Sequence, residues 1–300
     1  MGKPPLISVL MTCYNREDFV AEAIESVLAS TYLNLELIIV DDGSKDSTVS
    51  IAETYRAKDN RVKLYVNEKN LGDYRNRNRA ASYATGKYLF SVDSDDKIYE
   101  NGFDMCVKYL LQFPQARFAT YYRIPAAEAF VVNPVTAINN HFFKENYLMI
   151  GPGGTIIERE YFIEINGFPE KYGPANDTYY NLKAACSAPV LMIPFMFYFY
   201  RTHPGQEIHN AYSYLSNNYR YTRDALNELP LHLTAAQVSW LQKKNNRRFL
   251  KNIFNYFIKT KDFKKTTAAI RFAQFSFKDA VTGAFHYYTE NREKMIMNVK

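Results

Sequence analysis

The chain has 300 residues, 47% of them hydrophobic and 16% aromatic, which allows a large buried core and excludes a disordered or low-complexity protein. Its three cysteines, Cys13, Cys106 and Cys186, are too few and too irregularly spaced for a disulfide framework or a zinc site, and they suit a reducing compartment. The net charge of +6 is uneven: residues 216–300 carry 16 Lys/Arg against 6 Asp/Glu, a net +10, which leaves the residues before them mildly acidic at about −4.

In chain order, Leu6 to Met11 predicts a strand. Phe19, Val20, Ala23, Ile24, Val27 and Leu28 give Arg16 to Ala29 helical spacing. Leu35 to Val40 is a continuous apolar strand that runs into Asp41-Asp42-Gly43-Ser44. Ser47 to Arg56 predicts a helix capped by Asp46, Val62 to Val66 a strand, and Asp73 to Ala84 a helix closed by Gly86. Tyr88 to Val92 is an apolar strand that ends in Asp93-Ser94-Asp95-Asp96, and a helix follows from about Asn101 to Gln112. Residues 122–150 carry no readable pattern. Gly151 to Gly154 is a loop, Thr155 to Ile157 a strand, Arg159 to Ile165 a short helix, and Leu191 to Tyr200 one aromatic strand. From Tyr212 the pattern is helical over about 212–228, 234–258 and 262–280, with Pro230 and Thr260-Lys261-Asp262 between. The expectation is an α/β domain over 1–215, a mostly parallel sheet flanked by helices, followed by a basic helical appendage over 216–300.

In such sheets ligands sit beyond the carboxyl ends of the strands. Here those ends carry Thr12-Cys13-Tyr14-Asn15, Asp41-Asp42 and Asp93 to Asp96. Three carboxylates delivered to one strand end repel each other, and burial without a counter-charge is costly. A hard divalent cation with oxygen ligands resolves that conflict and leaves positions open for phosphate; the plain alternative is a solvated acidic turn. No Gly-x-Gly-x-x-Gly turn follows the first strand, and there is no Walker loop. A diphosphate bound through metal rather than through a glycine loop points to a nucleotide-sugar. Asp41 can accept from a pyrimidine N–H, and Tyr14 can cover a base face, a contact worth ~1–3 kcal/mol.

Several segments carry a family resemblance: Ile7-Ser8-Val9-Leu10-Met11-Thr12-Cys13-Tyr14-Asn15-Arg16, Glu36 to Ser44, Asn70-Leu71-Gly72 with Arg77-Asn78, Ala84 to Tyr88 running into Asp93-Ser94-Asp95-Asp96, and Asn166-Gly167-Phe168-Pro169-Glu170. In order and spacing, over roughly residues 6–205, the chain resembles the inverting glycosyltransferases of family 2, which have the Rossmann-like GT-A fold. The resemblance implies that Thr12, Tyr14 and Asp41 hold uracil and that Arg77 meets the nucleotide or its phosphates. It also implies that Asp93 meets the ribose and that Asp95 ligates Mn²⁺ or Mg²⁺. Asn15, Asp42, Asn70 and Ser94 belong to the same donor-binding segments. Each has a structural alternative: Thr12 ending a strand, Tyr14 a packed aromatic, Arg77 a surface helix arginine.

Family members carry a Glu-Asp pair after the Gly-Phe-Asp-Glu stretch; this chain has Asn176-Asp177 there. The second acid is the general base, so Asp177 is the catalytic candidate, while Asn176 can hydrogen-bond an acceptor hydroxyl but cannot ionise. Asp177 could instead cap a helix starting near Thr178. His203 resembles a metal-completing histidine of some relatives, although a lone histidine is more often a packed or surface residue. The processive Gln-x-x-Arg-Trp motif is absent; the stretch reads Phe199-Tyr200-Arg201-Thr202-His203-Pro204-Gly205-Gln206.

The expected function is metal-dependent, inverting, non-processive transfer of a sugar from a nucleoside-diphosphate donor to a glycan or lipid-linked acceptor. The rival is a non-catalytic nucleotide-sugar binding module. A sugar-1-phosphate nucleotidyltransferase would need glycines that Thr12 to Arg16 lack. Cations and aromatics alternate at Lys243-Lys244, Arg247 to Lys251 and Phe263 to Lys265, which suits a peripheral membrane contact; the plain alternatives are a helical cap with a solvated basic face or a homodimer contact. No nucleic-acid-binding motif is visible. No apolar run reaches the about 18 residues of a membrane span, and neither a secretory nor a myristoyl signal fits the start, so the expected location is cytoplasmic.

Overall fold

The computed structural model describes residues 3–204, 206–207 and 210–285. The chain opens with β1 (Ile7–Cys13), α1 (Val20–Leu28), β2 (Leu35–Asp41), α2 (Thr48–Arg56), β3 (Val62–Val66), α3 (Asp73–Ser82) and β4 (Tyr88–Ser91). It continues with β5 (Lys97–Ile98), α4 (Gly102–Gln112), β6 (Phe118–Tyr121), β7 (Phe130–Val132), α5 (Pro134–Phe143), β8 (Thr155–Glu158) and α6 (Arg159–Glu164). Then come α7 (Asn176–Ala185), β9 (Val190–Ile193), β10 (Tyr198–Phe199), α8 (Ala211–Glu228), α9 (Ala235–Thr260), α10 (Phe263–Ala273) and α11 (Phe277–Phe285).

Every residue of β2, and nearly all of β1, is buried. Strands apolar on both faces require cover on both faces, and helical crossovers supply it in a parallel sheet. The sheet has eight strands in the order β3-β2-β1-β4-β8-β6-β9-β7. β1 pairs in parallel with β2 and with β4, and β2 with β3. β8 is antiparallel to both β4 and β6, so the sheet is mixed in its second half. The order reverses between β1 and β4, the switch point at which open α/β sheets bind ligands.

The chain divides into two compact units. The first comprises the residues up to Asn133, Met149–Pro169 and Ala188–Thr202, and it holds the whole sheet. Its core gathers Val9, Met11, Ile24, Leu37, Ile39, Phe90 and Phe103, among others. The second comprises Pro134–Leu148, Glu170–Ser187 and the residues from His203 onward. Part of its core is Leu215, Tyr219, Phe249, Ile253, Ala269 and Ala273, contributed by α8, α9 and α10. The boundary expected at 215/216 therefore lies inside α8, and two earlier segments belong with the C-terminal helices. Among the described residues no helix is long and apolar enough to cross a membrane.

Four element readings need correction. The single strand expected over Leu191 to Tyr200 is two, β9 and β10, because Pro194 cannot donate to the ladder and ends it. The helix expected over 262–280 breaks at Gln274, which turns left-handed (φ 54°), and Ser276 then caps α11: its Oγ accepts from Asp279 N at 3.1 Å. The unreadable stretch holds β7 and α5, the latter opening on Pro134 at a position that needs no N–H. At α2 the helix begins one residue later than expected, with Asp46 Oδ1 accepting from Thr48 N at 3.0 Å.

Candidate active site

Backbone and side-chain bonds tie the carboxyl ends of β1, β2 and β4 together. Ser94 Oγ donates to Thr12 O at 2.8 Å across the β1/β4 switch. Asp42 N donates to Cys13 O at 2.8 Å. Asn15 adopts the left-handed conformation (φ 51°), which Asn tolerates better than most side chains. There its N donates to Ser44 Oγ at 2.8 Å, and its Oδ1 accepts from Lys45 N at 2.9 Å. Asp41 is buried; Oδ1 accepts from Gly43 N (3.0 Å) and Ser44 N (2.8 Å), and Oδ2 from Ser44 Oγ (2.5 Å). A carboxylate has about four lone-pair sites, so Asp41 retains capacity for another donor. Tyr14 is 44% exposed, so it is not the packed aromatic of the alternative reading.

Asp42 serves the loop. Its Oδ1 accepts from Asn67 Nδ2 (2.7 Å) and Leu71 N (2.8 Å), and its Oδ2 from Gly72 N (2.9 Å). Asn76 Nδ2 donates to Val40 O at 2.9 Å from below. The exposed Asn70 turns its Oδ1 to Gly72 N at 3.0 Å. Sequence reasoning missed Asn67 and Asn76, which bond each other at 2.9 Å and carry no local sequence signal.

The acidic turn after β4 is ringed by arginines. Arg77 is buried, not the surface residue of the alternative reading, and it does not point away from the protein. Its Nε bonds Asp73 Oδ1 at 2.8 Å and its Nη1 pairs with Asp93 Oδ1 at 2.7 Å. Arg77 thus bridges Asp73 on α3 and Asp93 in the acidic turn. Arg16 Nε stands 3.3 Å from Asp95 Oδ2. Arg201, which sequence reasoning did not single out, arrives from the two-stranded β5–β10 ribbon. Its N donates to Asp96 Oδ1 at 2.9 Å and its Nε to Asp95 O at 2.8 Å, while Nη2 reaches Glu22 at 2.7 Å. That ribbon pairs residues a hundred positions apart, which no local pattern announces.

Burial outweighs these cations at two of the carboxyls. Burial pushes the Asp93 carboxyl up, against the pull of Arg77. Burial, then the charge of Asp93, pushes Asp96 up to about 8. Crowded carboxyls, all hard oxygen donors, fit a divalent cation such as Mn²⁺ or Mg²⁺. Among the described residues no group of three or more His, Cys, Asp or Glu is arranged to hold a metal. Mg²⁺ takes one or two protein carboxylates and fills its shell with water and substrate phosphate. His203 belongs to the second unit, where its N donates to Gln206 Oε1 at 3.0 Å in a turn.

Asp177 also belongs to the second unit. It lies in the first turn of α7, not before it, half-buried, with Oδ1 accepting from Thr178 N at 2.5 Å. A carboxylate there faces the positive end of the helix dipole. Asn176 is buried and its Oδ1 accepts from Tyr172 N at 2.9 Å, so the amide closes the turn before α7. Tyr172 Oη donates to Asp224 at 2.9 Å and Tyr179 Oη to Glu228 at 2.8 Å, fastening this segment to α8. Gly173 (φ 52°) lets the turn approach closely: a Cβ there would lie 2.7 Å from Asn217 Nδ2.

Comparison with known proteins identifies the family. Residues 8–165, just over half the chain, match the family described as glycosyl transferase family 2. The chain is 37% identical over 107 residues, 36% of its length and 42% of the relative's, to the Escherichia coli UDP-Glc:alpha-D-GlcNAc-diphosphoundecaprenol beta-1,3-glucosyltransferase WfgD. It spans less than half the length of the curated relatives it matches. Residues 1–349 of S. aureus TarS, solved in complex with UDP-GlcNAc, superpose with a TM-score of 0.65 at 19% identity, covering 89% of this chain and 79% of that one. The mannosyltransferase PcManGT from Pyrobaculum calidifontis, solved with GDP-Man and Mn²⁺, gives a TM-score of 0.62 at 15% identity, covering 94% and 88%. With its sheet order, its acid-bearing strand ends and this match in hand, the chain belongs to glycosyl transferase family 2 and has the GT-A fold.

Proposed function

We propose that the chain transfers a single sugar from a nucleoside-diphosphate donor, UDP-linked by preference, to a hydroxyl of a glycan or lipid-linked acceptor, with inversion at the anomeric carbon. The observation that carries this reading is the convergence of Thr12 to Asn15, Asp41 and Asp93 to Asp96 on the switch-point edge of the sheet. The names of the relatives support it, since a UDP-glucose donor, a diphosphoundecaprenol-linked acceptor and UDP-GlcNAc appear there.

In this reading Tyr14 stacks on the base, Asp41 accepts from its N–H, and Thr12 and Asn15 shape the wall beside it. Arg77 orients Asp93 toward the ribose. Asp95 holds Mn²⁺ or Mg²⁺, which when bound neutralises charge on the departing diphosphate. Asp177 takes the proton of the acceptor hydroxyl as its oxygen bonds to the anomeric carbon and the bond to the diphosphate breaks. Base assistance of this kind contributes about 10²–10⁴-fold. The exposed aromatic and basic face of α9 to α11 rests on an anionic membrane surface, where a lipid-linked acceptor would lie.

The test is a panel of nucleotide-sugars with and without Mn²⁺, scored for thermal stabilisation and for release of nucleoside diphosphate. One donor should stabilise the wild type only with metal, and Asp95→Ala should lose that response. Asp177→Asn should keep donor binding and lose transfer by the factor above. A flat panel, or Asp95→Ala responding like wild type, rejects the reading. Asn176, where relatives carry an acid, favours a second reading as a non-catalytic binding module. Donor stabilisation without any hydrolysis would establish that one.

A further inference from the structure

We infer that Arg16 is the resident counter-ion of Asp95 and is exchanged for the divalent cation when the donor binds. This rests on the reading of Asp95 as the metal-holding carboxylate. The backbone of Arg16, in the loop between β1 and α1, is fixed to the first residue of α2, its N donating to Thr48 Oγ1 at 2.7 Å. Its Nη1 donates to Tyr14 O at 3.2 Å and Asn15 O at 3.1 Å, so one edge of the guanidinium is fastened to the loop expected to meet the base. The Nε then lies 3.3 Å from Asp95 Oδ2, with side-chain exposures of 30% and 12%. One arginine therefore joins the base-binding and metal-binding ends of the site.

A guanidinium and a divalent ion cannot share Asp95 Oδ2 without strong repulsion. Metal arriving alone must displace Arg16 from its carboxylate and leave a positive charge beside it. Metal arriving with a diphosphate brings oxygens to which the displaced guanidinium can turn, a pairing that suits its planar donors. The carbonyl anchors keep Arg16 at the edge of the site throughout. Arg16 is thus a positioning residue that disfavours metal alone and favours metal together with nucleotide.

The test is electron paramagnetic resonance of free Mn²⁺ titrated with the full chain, as wild type, Arg16→Gln and Arg16→Lys, with and without saturating UDP. Without UDP, Arg16→Gln should bind Mn²⁺ about three- to fivefold more tightly than wild type, the scale of a part-exposed ion pair. With UDP the order should reverse. Arg16→Lys keeps the charge but not the fork, and should fall between them; it also serves if Arg16→Gln fails to fold. Arg16 variants that bind Mn²⁺ alone no more tightly than wild type overturn the inference. A wild type that takes up no Mn²⁺ even with UDP overturns the reading of Asp95 itself, and the exchange with it.

Discussion

Asp93 and Asp95 stand one residue apart yet meet different cations, Arg77 from α3 and Arg16 from the loop after β1. They do so because the chain turns between them, with Asp96 N donating to Asp93 O at 2.9 Å; an extended strand would send these two side chains to one side. His141 shows the opposite handling of a titratable group, with no charge at all. It is buried in the second unit, accepts from Leu148 N through Nδ1 at 3.3 Å, and is held down to about 3 by burial and then by the charge of Lys244. Its folded pKa lies below its unfolded value, so the unfolded chain takes up the proton first. Stability is therefore intact above about pH 6.5 and is lost as pH falls toward 3. At pH 5 the loss should be about 2 kcal/mol. Thermal unfolding between pH 7.5 and pH 5 should show it, and His141→Gln should flatten the slope; an unchanged slope would mean the imidazole is not buried neutral.

The strands of the sheet carry acids at both ends, and the two ends are treated differently. At the amino end Glu36 is buried, but it accepts from Ser8 Oγ (2.6 Å), Thr85 N (2.7 Å) and Lys63 Nζ (2.5 Å). Burial opposes its ionisation, yet these partners together hold its pKa below the ordinary range. At the carboxyl end Asp93 and Asp96 are pushed up because their partners do not suffice. A satisfied buried acid is structural; an under-compensated cluster in the same sheet is where a ligand's charge belongs. Gly86 lets the amino-end network close, donating to Ser8 Oγ at 2.8 Å. A Cβ at Gly86 would lie 2.6 Å from Ser8 N, which is backbone and cannot step aside. Gly86→Ala should cost about 1–3 kcal/mol in denaturant unfolding, as overpacking does. Wild-type stability in that variant would show that β1 and β4 can spread.

For the whole molecule, the C-terminal helices add a surface that the sheet does not explain. Phe254, Phe263, Phe277 and Phe285 are 61%, 71%, 85% and 76% exposed, and Lys251, Lys259, Lys264, Lys265 and Lys278 are exposed with them. Aromatics to enter the headgroup layer and cations to meet anionic lipid are complementary to one surface. The protein should sediment with phosphatidylglycerol vesicles at low salt and not with phosphatidylcholine, and Phe254→Ser with Phe263→Ser should weaken it. No sedimentation, with a dimer by light scattering, would assign the face to a second copy.

The sequence by itself determined the sheet's first half and the edge at which the candidate site residues gather. Continuous apolar strands ending in polar segments state both facts locally, and Thr12, Asp41 and Asp93 to Asp96 could be named from them. Tertiary structure decided which groups those residues meet. Arg201 reaches Asp95 and Asp96 only through the β5–β10 ribbon, Arg77 turns inward to Asp93, and Asn176 closes its own turn. It also decided that Pro134–Leu148 and Glu170–Ser187 belong with the C-terminal helices. Local periodicity reports which face of a segment is buried; it holds no record of what, far along the chain, buries it.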